Sequence, residues 1–186
     1  MHHQTTLHAD VAALLEYPAV TGAEGLAARA LHVAAALPEA AAELSAFAQA
    51  AQALGTDGLE ELHTRTFDHA PARALELGWH AFGETYTRGA FLVRMRELLR
   101  GHGVAEGSEL PDHATLVLRL LPLLPPATAQ ALVRDALGEA GDTLLAGFTG
   151  SGAEANPYLG PVHAAVLLIQ ACAPREASFV PFSSVS

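Results

Sequence analysis

Lysine is absent from this chain of 186 residues, so all ten of its basic residues are arginines, set against twenty Asp and Glu for a net charge of −10. The absence excludes a phosphate-binding loop with its lysine and an enzyme that forms a Schiff base. The acidic balance speaks against nucleic acid, which needs a basic stripe, and favours basic partners through complementary potentials. Cysteine is nearly absent too. The single Cys172 rules out a disulfide within the chain and any zinc site built on thiolates. No run approaches the roughly 18 apolar residues of a membrane span, and Met1-His2-His3-Gln4 opens no cationic and apolar leader. A cytoplasmic protein is expected, with no membrane insertion. Whether His2 and His3 are native stays open.

Alternating apolar and polar runs are missing and β-branched residues are sparse, which removes the usual signature of strands. What is present is alanine, leucine and glutamate, in a chain 51% hydrophobic and 6% aromatic. The composition predicts an all-α protein, one helical bundle of about eight to nine helices over residues 1–173, followed by a flexible tail at 174–186.

Turn signals divide the chain. Asp10 is expected to cap a helix over Val11–Glu16, which Tyr17-Pro18 ends. Further helices are predicted over Gly22–Leu37, Glu39–Leu54 and Leu59–Phe67, with 55–58 a loop. A short helix should run through Trp79 and Phe82. Glu84 to Arg100 is the clearest helix, with Phe91, Met95 and Leu98 on one face. Three glycines in 101–108 suggest a hinge between subdomains, which would also permit exchange of helices between protomers, so monomer and dimer both stand. Helices are then expected over 111–121, 127–140 and 157–173, with a glycine-rich break at 147–152.

Histidine is plentiful, at ten residues, yet His63, His69 and His80 do not fall at the spacing of a helical metal motif, and no serine sits in a nucleophile elbow. No metal site, catalytic group or cofactor is predicted. Phe67, Phe82 and Phe91 belong to the core, whereas Trp79 and Tyr86, with polar tips, suit an open groove for an amphipathic helix.

The most specific stretch is Glu109-Leu110-Pro111-Asp112-His113. Pro111 would preset a first helical turn, Asp112 would complement the helix dipole, and His113 would pair with Asp112. Upstream stand Leu14-Leu15-Glu16-Tyr17-Pro18, Thr64-Arg65-Thr66-Phe67-Asp68, Leu77-Gly78-Trp79-His80 and Arg88-Gly89-Ala90-Phe91-Leu92. In this order, over residues 10–125, they resemble the NarJ/TorD/DmsD chaperones of nitrate reductase and DMSO-reductase-type molybdoenzymes, and Glu109–His113 matches the family's E-x-P-D-H signature in full.

That resemblance implies a chaperone rather than an enzyme. It implies binding of the N-terminal segment of an apo catalytic subunit, by expectation a respiratory nitrate reductase, until the molybdenum cofactor is inserted. The chaperone itself would hold no cofactor permanently. The functional residues it implies are Glu109, Pro111, Asp112 and His113, with Tyr17, Trp79, His80 and Arg88 as companions. Glu109 and Asp112, with Glu84, would form an acidic rim for arginines of the client. The rival reading is a helical scaffold or regulator with no part in metalloenzyme maturation.

Overall fold

Side chains of alanine and leucine lose little freedom in a helix, and here they fill both its interior and its contacts. The computed structural model describes residues 2–149 and 155–173, with side chains from Thr5 onward. They form α1 (His2–Leu14), α2 (Gly22–Ala36), α3 (Ala41–Phe67), α4 (Leu77–Phe82), α5 (Tyr86–Gly101), α6 (Ala114–Leu120), α7 (Pro126–Leu132), α8 (Gly138–Thr149) and α9 (Leu159–Ala171). Among the described residues the only extended pairing is one antiparallel bridge between Glu76 and His113. The protein is an all-α bundle.

Several boundaries differ from those expected. Helix α1 starts well before Asp10, which lies inside it. Its carboxylate holds Arg29 and approaches His32 at 3.7 Å, both on α2, so the residue ties two helices instead of capping one. The loop expected at 55–58 shrinks to a kink at Gly55 (φ 67°, ψ −178°) within α3. Just past it, Thr56 accepts the Ala23 amide at 3.1 Å and so satisfies a donor at the start of α2. Helix α6 begins at Ala114 rather than Pro111.

The helix predicted to end at Ala140 instead runs on through α8. Helices α7 and α8 are joined by a π turn over Val133–Leu137, so Pro126 to Thr149 forms nearly one rod. Gly147 is therefore a contact within a helix and not a break: a Cβ there would stand 2.3 Å from the Ala72 carbonyl oxygen. The Arg73 guanidinium donates to the Gly147 carbonyl at 2.9 Å. The expected break at 150–152 and the tail at 174–186 lie outside the described residues.

Helix α9 runs through the centre, with Val162, Ala164, Ala165, Val166, Leu168 and Ile169 all buried. Tyr158, just before it, is fully buried against Phe47 and Phe67. Its hydroxyl has no partner among the described residues. Helix α5 buries Phe91, Met95 and Leu99, one residue beyond the expected Leu98, which is half-buried. Glycines 103 and 107, at φ of 71° and 63°, shape the loop that follows α5. Glu106 anchors that loop to α5 through Arg96 (2.7 Å) and Arg100 (3.4 Å).

Helices α3 and α9 cross backbone to backbone at Gly160, where a Cβ would lie 2.5 Å from the Glu43 carbonyl carbon. Backbone cannot yield as a side chain can, so Gly160→Ala is expected to lower the unfolding free energy by about 3 kcal/mol. A matched pair of urea titrations would show it as a lower midpoint with an unchanged slope.

Candidate functional site

The signature segment is a turn, not the first turn of a helix. Pro111 takes the second position of the turn, where its fixed φ fits, and the His113 amide closes it on the Leu110 carbonyl at 2.9 Å. Two backbone bonds then lace this turn to the chain entering α4: the Leu77 amide to the Asp112 carbonyl at 3.0 Å, and the Ala114 amide to the Leu75 carbonyl at 2.8 Å. His113 is the N-cap of α6. Its Nδ1 accepts the Thr115 hydroxyl at 2.7 Å and the Thr115 amide at 3.4 Å.

Asp112 does not pair with His113. Its side chain is fully buried, and the Nε and Nη2 of Arg88 both donate to Oδ2 at 3.2 Å. The second oxygen, Oδ1, is buried without a partner among the described residues. Glycine is required at position 78, because a Cβ there would fall 2.5 Å from Asp112 Oδ2. The Arg88 guanidinium also lies 5.9 Å from the Trp79 ring centre, a cation–π contact. Burial raises the Asp112 pKa, and Arg88 offsets only part of that rise. For His113, burial lowers the pKa and Glu109, whose carboxylate stands 3.8 Å from Nε2, is the largest opposing influence. At neutral pH His113 is thus an uncharged cap.

Beside the turn opens a cleft of about 900 Å³. Tyr17, Trp79, Arg88, Glu109 and His113 line it. Pro111 and Asp112 are buried behind it and shape the turn. His80 also stands back, donating from Nε2 to the Ala74 carbonyl at 2.8 Å and so bracing the wall. Tyr86 is 94% exposed on α5 and is not among the lining residues. Glu84, expected on the rim, is likewise absent from the lining.

Sequence reasoning passed over Glu16, His63, Asp68, Glu76 and Arg119, which all line the cleft. Glu16 and Asp68 sit inside the segments that carried the resemblance, so the signal was in hand but unassigned. His63 was weighed only as a metal ligand. It is buried, its Nε2 donates to the Leu15 carbonyl at 3.2 Å, and burial lowers its pKa. Among the described residues no three His, Cys, Asp or Glu side chains are grouped to hold a metal ion.

The charges in the cleft do not balance. Glu16 is held by Arg119, and Glu106 by Arg96 and Arg100. Arg88 is engaged by Asp112. Asp68 and Glu76 have no ion-pair partner among the described residues, and Glu109 meets the uncharged His113 and the Ser108 hydroxyl, which donates to it at 3.3 Å, but no cation. Beside these carboxylates the mouth carries exposed Tyr17 (47%), Val20 (89%) and Leu110 (43%).

A protein-family model described as "Nitrate reductase delta subunit" matches residues 31–153. The chain belongs to that family. No curated protein matches it. The family is one of assembly chaperones for molybdoenzymes, in keeping with the NarJ/TorD/DmsD resemblance. The match takes in Asp68, Trp79, Arg88 and the whole signature turn, and runs past residue 125 into α8. It leaves out Tyr17, although that residue forms part of the same cleft. Among the described residues no helix is long and apolar enough to cross a membrane.

Because Arg88 is the sole countercharge on a buried carboxylate among the described residues, Arg88→Ala should destabilise the protein by about 3–5 kcal/mol at pH 7. Asp112 has a raised folded pKa, so its contribution to stability is fullest below the unfolded value of 3.8 and is lost as pH rises through the folded value. Removing Arg88 pushes the folded value higher still. The Arg88→Ala deficit should therefore grow from pH 4 to pH 7, and denaturant midpoints measured at both ends would check the sign.

Proposed function

We propose that this member of the nitrate reductase delta subunit family is a non-enzymatic assembly chaperone that receives an N-terminal segment of an apo molybdoenzyme catalytic subunit in the signature cleft. By this reading the client is a respiratory nitrate reductase, and the complex is kept open in the cytoplasm until the molybdenum cofactor has been inserted. The observation that carries the proposal is the cleft itself. An acidic lining without matching cations, beside exposed apolar side chains at the mouth, suits a basic amphipathic segment.

Each site residue then has a role. Glu109 presents charge, Tyr17 and Trp79 present apolar faces, and His113 caps α6 so that Glu109 stays at the edge. Asp112, Arg88, Pro111 and His80 act from behind, holding the turn and its facing wall. Tyr86 stands apart on α5, where its exposed ring offers apolar surface outside the cleft. The protein needs no cofactor of its own for this work and acts as a monomer or dimer.

Calorimetric titration with N-terminal peptides of molybdoenzyme catalytic subunits tests the proposal. Binding near 1 μM, about −8 kcal/mol, is expected for the client peptide. Glu109→Gln should weaken it about threefold to tenfold, as loss of a rim charge does, mainly through slower association at low salt. Tyr17→Ala should weaken it at least tenfold, mainly through faster release. A protein that binds none of these peptides would be a scaffold of some other kind.

A further inference from the structure

At the end of α3, three side chains outside the signature meet at the cleft: Tyr17, His63 and Asp68. The Tyr17 and His63 rings are edge to face, 5.5 Å apart at 80°. Phe67 and Tyr158 close on His63 from other sides, at 4.9 and 5.5 Å. Asp68 is the C-cap of α3, exposed, and close enough that its charge acts on both the Tyr17 hydroxyl and the His63 imidazole.

Every polar atom offered here is an acceptor. His63 spends its Nε2–H on the Leu15 carbonyl, which fixes the tautomer and leaves Nδ1 as a lone pair. That Nδ1 is buried with no partner among the described residues, in a side chain only 8% exposed. The Tyr17 hydroxyl donates to Glu60 at 3.1 Å and takes a hydrogen bond from Thr64, so any capacity left to it is as an acceptor. The Asp68 carboxylate adds two more acceptors and an uncompensated charge. A buried acceptor without a donor is a free-energy deficit that a bound N–H group removes. Of the three rings packed around His63, only Tyr17 is half-exposed, so it is the one that can shift and admit it.

The matching group must be cationic, rich in donors and free of acceptors, and flat enough to lie on an aromatic face. A guanidinium meets all of these conditions, whereas an ammonium is compact and strongly hydrated. We infer that Tyr17, His63 and Asp68 form a subsite for one arginine side chain of the bound client segment, with Asp68 taking the charge, the Tyr17 ring the planar face and His63 Nδ1 one N–H. This rests on the cleft being the client site, and it selects arginine over lysine there.

The test uses the full chain and two probes. In the first, imidazole ¹⁵N spectra are followed while N-acetyl-arginine methylamide is added, then its citrulline and lysine counterparts. The His63 Nδ1 resonance should move with the arginine compound at concentrations at least tenfold below those needed for the other two. Asp68→Asn, an exposed substitution that leaves the fold intact, should abolish the preference. In the second, the client peptide is titrated with each arginine changed to citrulline in turn. One replacement should cost about tenfold in wild type and almost nothing in Asp68→Asn.

An unmoved His63 resonance, or an equal response to citrulline, overturns the subsite. If the peptide still binds tightly in that case, the chaperone reading stands without it. A His63 response to arginine with no binding of any client peptide would keep the subsite and sink the proposed client.

Discussion

The buried pair of Arg88 and Asp112 is the constraint on which the site depends. It joins α5 to a turn 24 residues further along the chain, and it does so inside the protein, where a charge without a partner is costly. Because Asp112 cannot be solvated, the turn that carries it is held in place. Because Gly78 has no side chain, α4 can approach the carboxylate closely. The backbone bonds at Leu75 and Leu77 then fix the register of turn against helix. Glu109 and His113, the two signature residues that face the cleft, are positioned by this buried arrangement and do not position it.

The same economy explains why the cleft is acidic although arginines surround it. Arg88 is drawn inward by Asp112, Arg119 is held by Glu16, and Arg96 and Arg100 clasp Glu106. Both histidines in the wall are kept neutral by burial. The cations near the cleft are thus engaged in shaping it, and the residual charge of Asp68, Glu76 and Glu109 is left to the solvent or to a ligand. A protein with no lysine makes such an arrangement easy to keep, since every base is a planar fork able to lock onto a carboxylate.

Much of the fold was legible because helical period and alanine content are local properties: α2, α5 and α9 were expected within a few residues of where they lie. The failures share a cause. Pro-Asp-His reads equally well as a helix start and as a turn, and the choice is made by Arg88 and the Leu77 amide, which sequence near residue 112 does not contain. Gly147 reads as a break because glycine usually is one, yet its meaning is set by the Ala72 carbonyl against it. Likewise Asp10 reads as a cap until Arg29 is brought beside it. In the site, the segments that converge were legible as a group, whereas the roles within them were not. Asp112, expected on the acidic rim, is sealed away, and His63, which fits no metal-binding spacing, faces the cleft.

The N-terminal thirty residues lie ahead of the family match, but physically they belong to the site. Helix α1 buries Val11, Ala12 and Leu14, and Glu16 just beyond it grips Arg119 on α6. Tyr17 follows at once and forms one wall of the cleft. Pro18 cannot continue a helix, so the chain turns where Tyr17 is needed, and Val20 is carried out to the mouth. On α6, Arg119 lies less than two turns beyond the His113 cap. One ion pair between Glu16 and Arg119 therefore ties the Tyr17 wall to the signature wall. A shift of α1 along α6 would change the width of the opening between them, so the packing of the first helix sets the width of the cleft.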